Sequence, residues 1–347
     1  MKDNNDNTFI ESEEELDKIF EDAKNNKIRK AVKKAKRLST LKMILISLST
    51  LIILAITITT IGNEIIGTRL HDYISTIDYQ YTVQAPNKFP GMFSTFKNAF
   101  RGETQHHTFK YINGKRVFTG EYGITYNWIN ENFTEGTGSF VRHTEMTNEE
   151  LNFLPRYNNI GQKLMIFYYP YVDYGSKYSN DLSLLEDVGN DKFMEIALSF
   201  DKSYSINEVD TMIPKDINLT WYWVDSINDD NKDRQKHYFD IQENSNGEKI
   251  EVEQFVNFCY EDDAYGIKAQ NEYGEKIKNP EEYFIEALKE GKITHIYDIM
   301  SGEDGELTKD DIRVQGIVVT GDAENLKFLR ELPFIKASSL GVVTDKY

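Results

Sequence analysis

From Met43 to Asn63 the chain reads MILISLSTLIILAITITTIGN, without one charged residue, and nothing else in the sequence restricts its fold as much. At 1.5 Å rise per residue, about 20 such residues cross a hydrocarbon layer of roughly 30 Å, so the run predicts a transmembrane helix. Ser47, Ser49, Thr50, Thr57, Thr59 and Thr60 lie within it. Their hydroxyls can donate to carbonyls of the preceding turn, which makes them compatible with a span. A buried core helix is the competing reading, and the flanking charge argues against it.

Lys27, Arg29, Lys30, Lys33, Lys34, Lys36, Arg37 and Lys42 precede the run, whereas the 15 residues after it carry one base, Arg69. The positive-inside rule then predicts a single-pass protein of the cell membrane, with residues 1–42 in the cytoplasm and the C-terminal domain extracytoplasmic. A cleaved signal peptide would need a 42-residue n-region that begins acidic. The stretch TTIGNEIIG also lacks a small-residue cleavage pattern, so an uncleaved anchor is the better reading.

Charge is divided by this segment. Up to Gly62 there are 11 Lys and Arg against 9 Asp and Glu, which leaves 29 against 48 beyond it. A chain at −17 overall is a poor fit to phosphate, so no direct nucleic-acid binding is expected. With 39% hydrophobic and 13% aromatic residues, the long outer part can bury a core. The single cysteine, Cys259, excludes an intrachain disulfide and a cysteine-rich zinc site. Its neighbours Phe255, Phe258 and Tyr260 mark it as a buried structural thiol.

In the tail, Ser12 and Glu15 fit a capping box, which predicts a helix starting there after a polar, unstructured Met1 to Thr8. Leu16, Ile19, Phe20 and Ala23 then follow the spacing of one apolar helix face, and the stripe resumes one position late at Ile28, Ala31, Val32 and Ala35. Without a core of its own, such a helix offers its apolar face to a partner or to a membrane surface. The Leu16, Ile19, Phe20, Ala23 face reads equally as a partner site or as a solvated helix face. Lys30, Lys33, Lys34, Lys36 and Arg37, beside the span, are candidate contacts to lipid headgroups.

The outer part predicts many strands and few helices. Phe193 to Phe200 alternates, with Met194, Ile196, Leu198 and Phe200 on one side, and Leu219 to Val224 puts Trp221 and Trp223 together; both read as half-buried strands. The Trp pair could be core packing or a carbohydrate platform. Asn279, Pro280 and Glu282 fit N-cap, first position and capping-box partner of a helix through Lys289, with Gly291 as its terminator. Ile312 to Thr320, Ala323 to Leu332 and Ile335 to Val343 read as strand, helix and strand, a β-α-β unit implying parallel strands. The expected fold class is therefore α+β: a cytoplasmic amphipathic helix, one transmembrane helix and an extracytoplasmic mixed α+β domain ending in a β-α-β unit. The corresponding divisions are 1–42, 43–62, 63–190 and 191–347.

Catalytic and cofactor signals are missing. His106 and His107 point opposite ways on a strand, and His71, His143, His237 and His295 stand far apart, so no metal site is expected. Asp225 to Asp233 and Glu303 to Asp311 lack the alternating calcium-loop pattern and read as solvated loops. There is no Gly-rich phosphate loop and no nucleophile elbow. The expectation is no enzyme and no cofactor.

Several segments resemble the sigma factor regulator family, membrane-anchored anti-sigma factors of Gram-positive bacteria. They are KAVKKAKRLSTLKMILIS (Lys30 to Ser47), EIALSFDKSYS (Glu195 to Ser205), LTWYWVDS (Leu219 to Ser226), IRVQGIVVTGDAENLKFL (Ile312 to Leu329) and PFIKASSLGVV (Pro333 to Val343). The resemblance implies a cytoplasmic segment that restrains an extracytoplasmic-function sigma factor and an outer domain that responds to envelope stress. Many anti-sigma factors use a zinc-binding His-Cys-Cys domain, and this tail has neither His nor Cys. The short amphipathic helix would then do the holding, with a second regulator subunit a possible partner. The other reading is an anchored binding module for wall polymer or a partner protein, using the surface near Trp221 and Trp223.

Overall fold

The computed structural model describes residues 6–134, 157–174, 178–235, 239–244, 246–253, 258–302 and 305–347. By its internal packing the chain divides into two units, Met1–Ile65 and Ile66–Tyr347. Helix α1 runs Asp6–Val83, so its greater part belongs to the first unit and its last turns to the second. The helix thus begins before Ser12, which corrects the start expected there. Among the described residues α1 is the one helix long and apolar enough to cross a membrane. Within it Thr50, Thr57, Thr59 and Thr60 donate to the carbonyls of Ile46, Ile53, Ala55 and Ile56 at 2.8–2.9 Å, which satisfies the hydroxyls without water.

In the second unit the chain turns after Val83 through Ala85 and Asn87, both left-handed at φ 58° and 53°. It enters an antiparallel meander of β1 (Lys88–Lys97), β2 (Arg101–Ile112), β3 (Lys115–Asn127) and β4 (Glu131–Thr134). Asn113 and Gly114 join β2 to β3 at positive φ, the pair that a two-residue hairpin favours. Strand β2 alternates strictly. Gly102, Thr104, His106, Thr108, Lys110 and Ile112 are buried, while His107 points the other way and is exposed.

The remaining elements are β5 (Ile166–Phe167), α2 (Leu185–Val188), β6 (Lys192–Tyr204), α3 (Ile206–Met212), β7 (Asn218–Val224), α4 (Asp229–Gln235), β8 (Phe239–Glu243), β9 (Lys249–Glu253) and β10 (Cys259–Tyr260). Then follow β11 (Gly266–Lys268), α5 (Pro280–Glu290), α6 (Thr294–Met300), β12 (Val314–Gly321), α7 (Ala323–Leu326) and β13 (Ile335–Asp345). A five-stranded sheet has the order β11-β7-β12-β6-β13, and every ladder in it is antiparallel. Strands β12 and β13, expected as the parallel strands of a β-α-β unit, run the same way, but β6 lies between them and pairs antiparallel with each. The α-helix between them is shorter than the expected Ala323 to Leu332: Asp322 caps α7 by accepting from the Asn325 amide at 2.9 Å, and a 3₁₀ turn over Lys327–Glu331 follows.

Alternation along β6 sorts its residues into two cores. Met194, Ile196, Leu198 and Phe200 pack with Tyr222, Val224, Ile317 and Val319 under Val209, Phe284, Leu288, Ile296 and Leu326 of the helices. Ala197, Trp221, Trp223 and Val318 face the opposite way, under Met165, Phe167, Cys259 and Ala264. β6 and β7 are therefore covered on both faces rather than half-buried. Cys259 sits inside the second core, and burial pushes its thiol up to about 12.

Helix α5 starts where its sequence indicates, with different cap chemistry. Asn279 is left-handed at φ 50° and its side chain caps no backbone amide; its side-chain Nδ2 donates instead to Glu282 Oε2 at 3.1 Å. Gly291 does not end the helix through a positive φ, which falls on Lys292 at 53°. The glycine serves close approach instead, because a Cβ there would lie 2.6 Å from the Tyr79 Cβ and 2.7 Å from the Ala287 carbonyl oxygen. Gly291→Ala is expected to cost about 1–3 kcal/mol through this overpacking. Urea unfolding of the purified chain measures it, and an unchanged midpoint would show that the contact with Tyr79 yields freely.

Candidate functional site

In the first unit the side chains of Ile19 and Phe20 are 63% and 70% exposed, and Ala23 is exposed beside them. Leu16 belongs to the same helix, with its side chain outside the described residues. At about 100° per residue these four positions share one arc of α1. Ile28, Ala31, Val32 and Ala35 are exposed as well, and the one-position delay on an unbroken helix turns their stripe by about 100° from the first. Lys30, Lys33, Lys34, Lys36 and Arg37 are all exposed; Lys30, Lys33, Lys34 and Arg37 lie on the side away from this second stripe, and Lys36, four residues after Val32, borders it. The tail therefore presents two apolar faces in different directions, and only the second is backed by bases.

The second unit holds a buried charge network. Lys110 Nζ, on β2, donates to Glu195 Oε2 of β6 at 2.8 Å and to Glu261 Oε1 at 3.0 Å, and none of these side chains is more than 5% exposed. Glu195 also accepts from Asn87 Nδ2 at 3.1 Å, and Glu261 accepts from the Met165 amide at 2.8 Å. Burial opposes the Lys110 charge, but the two carboxylates outweigh it and raise its pKa. For Glu261 burial is the larger effect and lifts the carboxyl above its ordinary range, against the pull of Lys110. Lys88 Nζ lies nearby, 3.3 Å from Asp262 Oδ1 and 3.3 Å from the Tyr122 hydroxyl.

Lys268 has no carboxylate within bonding distance among the described residues. Its Nζ donates to the Lys88 carbonyl at 2.8 Å and lies 3.8 Å from the centre of the Phe89 ring. Burial lowers its pKa to about 7. His106 is buried among Tyr81, Phe93 and Tyr122, without a hydrogen-bond partner on either ring nitrogen. Burial, then the charge of Lys88, lowers it to about 4, so it is neutral near pH 7. It lines a cleft of about 420 Å³ with Tyr73, Ile77, Tyr81, Lys88 and Tyr122.

Among the described residues no His, Cys, Asp and Glu group is arranged to hold a metal; His143 and His237 lie outside them. In the run from Asp225 to Asp233, Lys232 binds Asp225 at 2.8 Å and Asp229 at 3.3 Å. In the run ending at Asp311, that carboxylate accepts from the Thr308 amide and hydroxyl, which closes a turn; Glu303 and Asp304 lie outside the described residues. Trp221 and Trp223 are 0% and 1% exposed, so they form core and no carbohydrate platform. This removes the surface on which the anchored-module reading rested. Sequence reasoning missed Lys88, Lys110, Glu195 and Glu261. The signal for Lys110 was its place on the same side of a period-two strand as Thr104, His106, Thr108 and Ile112, but four polar residues on an inner face hide the pattern.

The fold is an α+β domain that follows a helix long and apolar enough to cross a membrane, and the sequence narrows the class. Residues 29–117 match the sigma factor regulator N-terminal region, and residues 185–342 match the sigma factor regulator C-terminal region. Together these cover more than two thirds of the chain, which belongs to the sigma factor regulator family. No curated protein and no solved structure matches it. Lys110 lies in the first matched region and Glu195 and Glu261 in the second, while the Leu16 to Ala23 face precedes both.

Two outcomes follow from the network. Lys110→Met leaves two buried carboxylates facing each other and is expected to cost about 3–5 kcal/mol, read by urea unfolding. Lys268, lowered in the folded chain, binds fewer protons than the unfolded chain between pH 7 and its ordinary 10.5, so stability rises across that window. Lys268→Met should stabilise the chain at pH 7 and flatten this rise; an unchanged slope between pH 7 and 9 would assign it to another group.

Proposed function

We propose that this chain is a membrane-anchored anti-sigma factor: its N-terminal tail, in the cytoplasm, restrains an extracytoplasmic-function sigma factor, and its C-terminal domain, outside, responds to envelope stress. The observation that carries the reading is the exposed apolar face at Ile19, Phe20 and Ala23, in a chain whose family is that of sigma factor regulators. An amphipathic helix with a free apolar face suits docking into a groove of a partner. Its position ahead of residue 29, outside the shared family regions, suits a contact that differs from one sigma factor to another. The asymmetry of bases about the span supports the orientation. The bases that accompany the second apolar stripe support lipid headgroup contact by Lys30, Lys33, Lys34, Lys36 and Arg37.

On this reading the chain works by holding and releasing, without catalysis, in a Gram-positive envelope. A second regulator subunit would share the holding, since the tail offers little area. Phe20→Asp places a charge in the centre of the face. The expected result is that a sigma factor co-purifying with the full-length protein from membranes is lost from the variant, and transcription of that factor's targets rises. A sigma factor retained by the variant would place the contact elsewhere, and none with either protein would count against sequestration by this chain.

A further inference from the structure

Two hairpin tips of the second unit carry an exposed apolar cluster that no described residue covers. Phe100, in the turn between β1 and β2, is 61% exposed, and Ile129, in the turn between β3 and β4, is 82% exposed. Trp128 stacks on Phe100 with ring centres 5.9 Å apart and planes 17° off parallel, and Phe96 at the end of β1 is exposed beside them. The turns are firmly built. The Asn98 side chain accepts from the Phe100 and Arg101 amides at 2.8 and 2.9 Å, and the Asn127 side chain accepts from the Ile129 and Asn130 amides at 2.9 and 2.8 Å. An ordered turn that presents aromatic and aliphatic side chains to solvent marks a contact surface.

The chain itself indicates what covers it. Arg69 donates to the Asn127 carbonyl at 3.1 Å and to the Ile129 carbonyl at 3.5 Å, so the second tip is held to Arg69. Arg69 follows Asn63, the last residue of the uncharged run, by six positions, a tether of at most about 20 Å even when fully extended. Surfaces at that reach lie near the interfacial layer of a bilayer, where Trp and other aromatic side chains are favoured. Lys97 and Arg101 flank the cluster and can keep their charges among headgroups, although Arg101 also pairs with Glu103 at 3.1 Å.

We infer that the cluster of Phe100, Trp128 and Ile129 rests in the interfacial lipid of the leaflet beside the outer domain, giving that domain a second hold on the membrane. The inference rests on reading Met43 to Asn63 as a span. The chain contains three Trp, none of them in the uncharged run, and Trp221 and Trp223 are buried in the core. The difference in emission between the parent and Trp128→Phe therefore isolates Trp128. The test uses the full-length chain in phosphatidylglycerol and phosphatidylcholine vesicles, with and without lipid brominated near the headgroup. The expected result is loss of the Trp128 emission with brominated lipid. Ile129→Asp, which alters an exposed side chain and leaves the turn's backbone bonds in place, should restore it. A chain that stays with the vesicles through an alkaline wash yet keeps its Trp128 emission overturns the inference and leaves the span intact. A chain released by the wash overturns both. Concentration-dependent self-association in detergent that Ile129→Asp abolishes, with Trp128 unquenched in vesicles, would assign the cluster to a second copy and overturn the lipid reading.

Discussion

An ammonium group enclosed by two carboxylates, far from water, is the constraint around which the second unit is arranged. Lys110 comes from the four-stranded meander, Glu195 from β6, an inner strand of the five-stranded sheet, and Glu261 from the turn after β10. Three segments distant in sequence must therefore meet for any one of these charges to be tolerated. Such a cluster is weak evidence for stability, since its attraction is largely offset by lost hydration. Its value is selectivity, because a slipped docking of one sheet on the other would leave a charge stranded. Asn87 extends the requirement to the turn that follows α1, through its bond to Glu195 and a second to the Tyr111 carbonyl.

Around this centre the five-stranded sheet works as a partition between two apolar layers. Helices cover one side, and the short β5 and β10 ladder with its aromatic surroundings covers the other. Phe167 lies 5.0 Å from Trp223 and 5.8 Å from Trp221, ring centre to ring centre, so the tryptophans are packed by a segment in which the sequence shows no recognisable motif. Without disulfides, burial on both sides supplies the area that holds a domain of this size.

What could be read in advance were features with a local period. The alternation of Met194, Ile196, Leu198 and Phe200, the shared face of Trp221 and Trp223, and the opposed directions of His106 and His107 all follow from a repeat of 2, and the uncharged run is legible by its length alone. Features set by distant neighbours could not be read that way. Nothing near Val314 or Ile335 indicates that β6 will lie between them. Gly291 looks like a helix terminator by position, while its actual requirement comes from Tyr79, more than two hundred residues away. The polar inner face of β2 escaped because a buried lysine contradicts the apolar pattern by which inner faces are recognised, and its two partners lie 85 and 151 residues further on. In the tail, both apolar stripes were visible, but the angle between them acquires meaning only on a helix that continues unbroken from Asp6.

That angle limits how such a helix can act as a moving part. Sliding α1 along its own axis would carry both stripes together and leave each pointing as before. Rotating it by about one residue's step would bring Ile28 and Val32 to the bearing that Ile19 and Phe20 had occupied. The tail is thus cut like a key with two offset blades: torsion exchanges what it presents, whereas a piston stroke does not.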